Sequence, residues 1–385
     1  MIKKIPYNRQ YIDGKDNAEV LKALKSKLIT TGNFVIKYEK KIKKFLNSKY
    51  AVSCSSGTSA LHLSMLAIGL KKGDVVIMPA INFIASYSIS KMMGAKIFFA
   101  DVDKYTGQMT PETLSLCIKK NRLKKIKLVI TMYLGGYPEN IYDFYKLKKK
   151  KNFFIIEDAC HALGASYKFN NKQIMVGSCK HSDLAIFSTH PVKSITTGEG
   201  GIVTTNNELF YKKIKSYRSH GIRRKKNTHW HYDIVETGFN YRLSDINCAL
   251  GLSQLSKLKK FIQIRNKKYS YYLSKFKKLN NNLLIHDYTK KNKSAFHLFM
   301  ITINFSKINS TKNKFFRYLK NNKILAQFHY IPLYKFSFYK GKKNIYPNSE
   351  YYYKTKISLP LFYNISKIEQ NFIINKISNF IRGSR

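Results

Sequence analysis

The sequence predicts an α/β fold: a mostly parallel sheet flanked by helices, followed by a smaller α+β C-terminal domain. Two observations carry that reading. From about residue 35 to residue 208, short apolar runs poor in Lys and Arg alternate with amphipathic segments of helical period. Alternation on that scale implies parallel strands joined by crossover helices. After about Leu243 the texture changes to one long helical segment and then a Tyr-, Lys- and Asn-rich region. The boundary is therefore placed at 1–255 and 256–385, with about the first 15 residues free to pack on the smaller domain.

Taken in order, Asp16–Leu28 reads as a helix, followed by the loop Ile29–Gly32 and an amphipathic helix Val35–Leu46. Tyr50–Cys54 is a strand, and Ser55–Ser59 leads into the apolar helix Ala60–Leu70. Strands follow at Val75–Met78 and Lys96–Ala100, with a helix Phe83–Met93 between them. Thr110 before Pro111 is a cap with Pro at the first helical position, opening a helix to about Lys120. Leu128–Met132 is a strand, Ile141–Lys150 a helix, and Phe153–Ile156 a strand running out at Glu157-Asp158. Leu184–Phe187 and Gly201–Thr204 complete the strands of the sheet, and a helix starts near Glu208. The second part holds the long helix Leu243–Lys275 and strand-like runs at Leu298–Ile303 and Ala326–Tyr330.

Composition narrows the class. Hydrophobic residues make up 44% of the 385, which excludes a disordered chain. The five cysteines are scattered without a CxxC pair, the pattern of reduced thiols in a cytoplasmic protein. No stretch is apolar for the length of a membrane span, so no membrane insertion is expected. The net charge of +49 raises a nucleic-acid-binding alternative. Its lysines are spread over nearly all the predicted surface helices, whereas a dedicated binder concentrates charge on one face or tail. No specific nucleic acid is expected, although anionic ligands such as nucleotide diphosphates are favoured.

Against that background Ser182–Asn206 stands out. Residues 183–208 hold one cation, Lys193, where even spacing would give about five. It lies between the apolar run Leu184–Phe187 and a cluster of Gly198, Gly200 and Gly201. A free Lys amine, with pKa near ~10.4, is almost wholly protonated at neutral pH. Apolar surroundings lower that value and make the amine a nucleophile, as imine chemistry requires.

Two other features fall at predicted strand ends. Ser55–Ser59 meets a helix N-terminus, whose free N–H groups favour a phosphate; Gly57 permits close approach, and Thr58 and Ser59 add hydroxyls. The same residues would equally make an ordinary helix cap. Asp158 ends a buried strand and needs a partner, either an internal cation or a protonated ring nitrogen. His161 lies three residues on. Phe83, after Pro79, either stacks on a flat ring or belongs to the core. In that order, phosphate cradle, strand-end carboxylate and secluded amine describe a pyridoxal 5'-phosphate (PLP) site. There is no GxGxxG after a strand and no Walker A loop. Cys160-His161 with Cys179 and His181 lacks the usual spacing of zinc ligands, so no metal is expected.

Over almost its whole length the chain resembles the DegT/StrS-type sugar aminotransferases, which are fold-type I PLP enzymes. The segments that carry the resemblance are SSGTSALHLS, EDACHALGA, HPVKSITTGEGG and GFNYRLSDINCALGLSQL, between IPYNRQYI near the start and ISLPLF near the end. EDACHALG, HPVKSITTGEGG, Ser219–Ile222 and Ala326–Tyr334 favour the pseudaminic acid branch. That branch aminates C4 of a UDP-linked 4-keto-6-deoxy-N-acetylhexosamine. Branches leading to bacillosamine, legionaminic acid or perosamine share every coenzyme residue.

The resemblance implies roles by position. Lys193 would be the imine-forming lysine, Asp158 the partner of the ring nitrogen, and His161 a neighbour of the ring hydroxyl. Phe83 would stack on the ring, and Thr58, Ser59 and Ser188 would bind phosphate, with Gly57 beside them. Asn240 would reach the partner subunit's phosphate, so that a homodimer shares its sites. Tyr7, Lys27, Leu28, Ile29, Thr30, Gln327, Phe328, His329 and Tyr330 match segments around the nucleotide sugar. L-Glutamate is the implied amino donor. Family members often carry Phe where this chain has Thr189, a departure that bears on packing beside Ser188.

Overall fold

The computed structural model describes residues 4–225, 228–277, 283–288, 292–339 and 346–383. Two helices, α1 (Gly14–Leu24) and α2 (Asn33–Leu46), precede strand β1 (Tyr50–Cys54) and helix α3 (Gly57–Ala67). There follow β2 (Val75–Pro79), α4 (Ile84–Met92), β3 (Lys96–Ala100), α5 (Pro111–Lys120), β4 (Leu128–Met132), α6 (Ile141–Lys151) and β5 (Phe154–Asp158). A hairpin of β6 (Ser166–Phe169) and β7 (Lys172–Met175) leads to β8 (Leu184–Ser188), β9 (Gly201–Thr205) and α7 (Glu208–Arg218). A second hairpin, β10 (Ile222–Lys225) and β11 (Thr228–Ile234), comes before the long helix α8 (Asp245–Phe276). The remainder is β12 (Leu283–Ile285), β13 (Phe299–Ile303), α9 (Lys312–Asn321), α10 (Pro347–Thr355), β14 (Lys356–Leu359) and α11 (Lys367–Gly383).

The main sheet runs β1-β9-β8-β5-β4-β2-β3. Neighbours from β8 to β3 are parallel, while β9 is antiparallel to both β8 and β1. The mostly parallel α/β class expected from the sequence is therefore the one observed. Central strand β4 is buried along its whole length, as a strand covered by helices on both faces must be. Alternate residues divide the core: Ile77, Val129, Ile155 and Phe187 pack with Tyr38 of α2, Leu114 of α5 and Leu258 of α8. Val76, Leu128, Ile130 and Ile186 face the other way, onto Ala60 and Leu63 of α3.

Helix α8 joins both cores. Its Leu255, Leu258 and Phe261 complete the first, and Tyr269, Tyr272 and Phe276 enter a second core with Phe299, Ile301, Ile357 and Ile373. Ile5 belongs to that second core and pairs with Ile324.

Several expectations shift. The first helix starts at Gly14 because Asp13 and Asp16 form a capping box, and it ends before Lys27 and Leu28. Helix α3 begins three residues earlier than expected, capped by Ser56. The run Ala326–Tyr330 is not a strand: its ladder is one bridge, Gln327 to Ser358. The two hairpins between β5 and α8 were not anticipated.

Candidate active site

Strand ends build the site. The carboxyl ends of β1, β5 and β8 and the start of β9 meet at one edge of the sheet, where open α/β sheets bind ligands. Gly201 pairs with both Cys54 and Ser188, and a Cβ there would lie 2.0 Å from the Ser56 carbonyl oxygen. Only glycine allows the β9 backbone to press against the turn that starts α3. A cavity of about 310 Å³ opens over this junction, and Lys193, Asp158, His161, Gly57, Thr58 and Ser188 all line it. Tyr7, Phe83, His329 and Tyr330 line it as well.

Lys193 sits in the loop between β8 and β9 with its side chain toward the cavity. Burial lowers its pKa, and the acidic groups Cys160 and Asp158 partly oppose the shift. Asp158 is 3% exposed at the end of β5. Its pKa is raised by burial, against the pull of Cys160 and Lys193. Oδ1 accepts from the Cys160 N–H at 3.2 Å. No salt bridge to Asp158 is present among the described residues, so a buried carboxylate faces the cavity without an ion-pair partner.

The turn before α3 caps that helix and lines the cavity. The Ser56 hydroxyl accepts from the Ser59 N–H at 3.0 Å, and Ser59 Oγ donates to the Ser56 carbonyl at 2.8 Å. Ser59 is thus buried in the cap and does not line the cavity, while Ser56 does. A Cβ on Gly57 would lie 3.1 Å from Ser188 Cβ and 3.3 Å from Cys160 Sγ, so it would press these neighbours outward by a few tenths of an ångström. Thr189 is buried, and its hydroxyl is bonded to that of Thr197 at 2.6 Å. A threonine pair therefore fills the space beside Ser188.

Three buried histidines, His161, His297 and His329, line the same cavity. His161 packs on His297 with ring centroids 4.2 Å apart. Burial, reinforced by the Lys193 charge, holds all three neutral; His329 falls to about 3. His297 was not anticipated, because it is hidden in the apolar run Ala295–Met300. Beneath it the buried Arg265 donates to the carbonyls of His297 (3.4 Å) and Leu361 (2.9 Å) and to Asn8 Oδ1 (3.0 Å). Burial brings this guanidinium down to about 10.

Not every anticipated residue gathers here. Gln327 and Phe328 line a neighbouring cleft that shares Phe83 and Tyr330 with the cavity. Lys27, Leu28, Ile29 and Thr30 form an exposed segment held to the start of α8 by the Thr30–Ser244 bridge. Asn240 is exposed and pairs with Ser219. None of these five lines the cavity of its own chain. Among the described residues no group of three or more His, Cys, Asp or Glu could hold a metal ion. His181 instead bonds Tyr167 Oη at 2.7 Å.

Residues 10–378 match the DegT/DnrJ/EryC1/StrS aminotransferase family. The chain belongs to that family. It is 37% identical over 374 residues to UDP-4-amino-4,6-dideoxy-N-acetyl-beta-L-altrosamine transaminase of Campylobacter jejuni, covering 96% of this chain and 95% of the relative. GDP-perosamine synthase of Escherichia coli O157:H7 is 30% identical, covering 98% and 99%. Among solved structures, Helicobacter pylori PseC, an aminotransferase of pseudoaminic acid biosynthesis, superimposes with a TM-score of 0.90 at 29% identity, covering 99% and 100%. A putative sugar aminotransferase from Streptococcus pneumoniae, solved in PLP and PMP forms, gives 0.89 at 26% identity, covering 99% and 100%.

As a DegT/DnrJ/EryC1/StrS aminotransferase, the protein is a PLP-dependent enzyme acting on nucleotide sugars. The residues present fit the coenzyme. A buried carboxylate lacking an ion-pair partner, an amine of lowered pKa and a glycine turn at a helix N-terminus that a Cβ would crowd share one cavity.

Proposed function

We propose that the enzyme moves the amino group of L-glutamate to C4 of a UDP-linked 4-keto-6-deoxy-N-acetylhexosamine. The reading is supported by the single cavity that unites Lys193, Asp158 and the α3 cradle, and by the 37% identity to an altrosamine transaminase. Pyridoxal phosphate, when bound, supplies an aldehyde carbon for amine exchange and a ring that withdraws electrons. Lys193 would hold that carbon at rest, and its freed amine would carry the proton that the amino transfer requires. Asp158 keeps the ring nitrogen protonated, and His161 stands beside the ring hydroxyl. Phe83, half exposed at the cavity, would stack on the ring. The N–H groups opening α3, with the Thr58 and Ser188 hydroxyls, bind the phosphate, and Ser59 acts by fixing their turn. Tyr7 and Gln327–Tyr330 border the path of the nucleotide sugar.

Incubating the PLP-loaded enzyme with glutamate and a panel of UDP- and GDP-linked 4-keto sugars tests this reading. The expected result is a 4-amino product from the UDP N-acetyl sugar together with 2-oxoglutarate. Transfer to GDP sugars alone would replace this reading with a perosamine-type activity.

The same proposal includes a homodimer with shared sites, a division into 1–255 and 256–385, and a cytoplasmic location. Asn240 and Lys27–Thr30 are exposed outside their own cavity, and Leu28, Ile29, Ile36, Tyr232 and Ile234 are large apolar side chains left exposed on the single chain. A partner supplying those residues would complete the site. Sedimentation at micromolar concentration should give twice the chain mass. Tyr232→Asp with Ile234→Asp should yield monomers of low activity, and a fully active monomer would refute the sharing.

A further inference from the structure

His161 is held from two sides. The Gly135 N–H donates to Nδ1 at 3.4 Å, and Nε2 lies 3.0 Å from Tyr330 Oη. A neutral imidazole has one ring proton. Since Nδ1 accepts from a backbone N–H, which can only donate, the proton is on Nε2 and is given to the tyrosine oxygen. Burial and the neighbouring Lys193, His297 and His329 keep the ring neutral, so this tautomer persists through the ordinary pH range.

The consequence falls on Tyr330. Its oxygen accepts from His161, and among the described residues its own proton has no acceptor. The phenol lines the same cavity as Lys193. Burial, with Asp158 and Cys160 nearby, keeps it protonated. Ser188 Oγ accepts from the His190 N–H at 3.3 Å, Cys160 interacts with Asp158, and of the two phenols that line the cavity, Tyr7 and Tyr330, Tyr330 is the one oriented by a ring N–H.

We propose that Tyr330, oriented by His161, donates the proton that lets the sugar carbonyl oxygen depart as water. The proposal rests on the sugar-amination reading above. When C=N replaces C=O, the oxygen leaves with two protons, both originating on the amine nitrogen that bonds to the carbon. Tyr330 gives its O–H proton to the oxygen as the C–O bond breaks, and its own oxygen takes a proton released by the nitrogen. Nothing is oxidised or reduced, and the tyrosine ends as it began. The His161 N–H stays in place and stabilises the phenol oxygen while that oxygen lacks its proton. Transfer through a positioned side chain contributes roughly 10²–10⁴-fold.

Tyr330→Phe keeps the ring contacts with Phe83 (5.6 Å) and His329 (4.9 Å) and removes only the hydroxyl. In the PLP-loaded enzyme kcat for the keto sugar should fall ~10²-fold or more, with little change in KM and the visible absorption of the coenzyme unaltered. His161→Gln, whose amide N–H can donate to the same phenol, should retain much more activity than His161→Leu. Independently of turnover, ¹⁵N-histidine NMR of the coenzyme-free protein should show His161 protonated on Nε2. Full kcat in Tyr330→Phe, a loss confined to KM, or a proton on Nδ1 would each overturn the proposal. If the unaltered enzyme aminates no sugar in the panel, the underlying reading falls with it; if it does and Tyr330→Phe matches it, only the tyrosine assignment falls.

Discussion

Lys193→Ala is expected to abolish sugar amination, lowering the rate by at least ~10³-fold because the variant loses both the covalent attachment and the proton carrier. Borohydride should fix the coenzyme to the parent chain at residue 193 and leave the variant unlabelled. The amine sits in a cavity where burial lowers its pKa, the direction that favours the nucleophilic free amine. A peptide map of the reduced parent, with the coenzyme found on another lysine, would refute the assignment. So would a Lys193→Ala protein that turns over sugar at the parental rate.

Asp158→Asn should separate stability from activity. In the PLP-loaded enzyme it should cost ~10²-fold or more in kcat, since a neutral amide cannot keep the ring nitrogen protonated. In the coenzyme-free protein the same change should raise the Tm at pH 7. The sign follows from burial, which lifts the folded-state pKa of Asp158 above its unfolded value. The penalty is absent below the unfolded carboxyl pKa near ~3.9, grows as pH rises through the folded value and is complete above it. Parent and variant should therefore converge in Tm near ~pH 4 and diverge toward neutrality. Thermal melts across that range check it, and a variant less stable than the parent at pH 7 would contradict it.

What the sequence made legible was what charge and apolar pattern record. Lys193 was visible because its neighbourhood excludes cations, and Asp158 because it ends an apolar run that must be a buried strand. Residues that act through the tertiary fold left weaker traces. His297 sits in an aromatic and aliphatic run where a histidine reads as core, and only the packing on His161 brings it to the cavity. Ala326–Tyr330 has the composition of a strand, but its side chains form a cavity wall and a cleft instead of a ladder. The β10–β11 hairpin was obscured by its basic residues, which break the alternation that marks a half-buried strand. Ser59 illustrates a different limit. Cap and phosphate cradle use the same residue types, and in the structure Ser59 belongs to the cap while Ser56, Gly57 and Thr58 line the cavity.

The guanidinium of Arg265 joins Asn8, His297 and Leu361, residues drawn from opposite ends of the polypeptide. The catalytic chamber is therefore fastened like a drawstring bag: the wall that carries His297 is held by a knot whose cords run to both termini. Loosening either cord slackens that wall, so a change near residue 8 or residue 361 reaches the chemistry without touching a ligand.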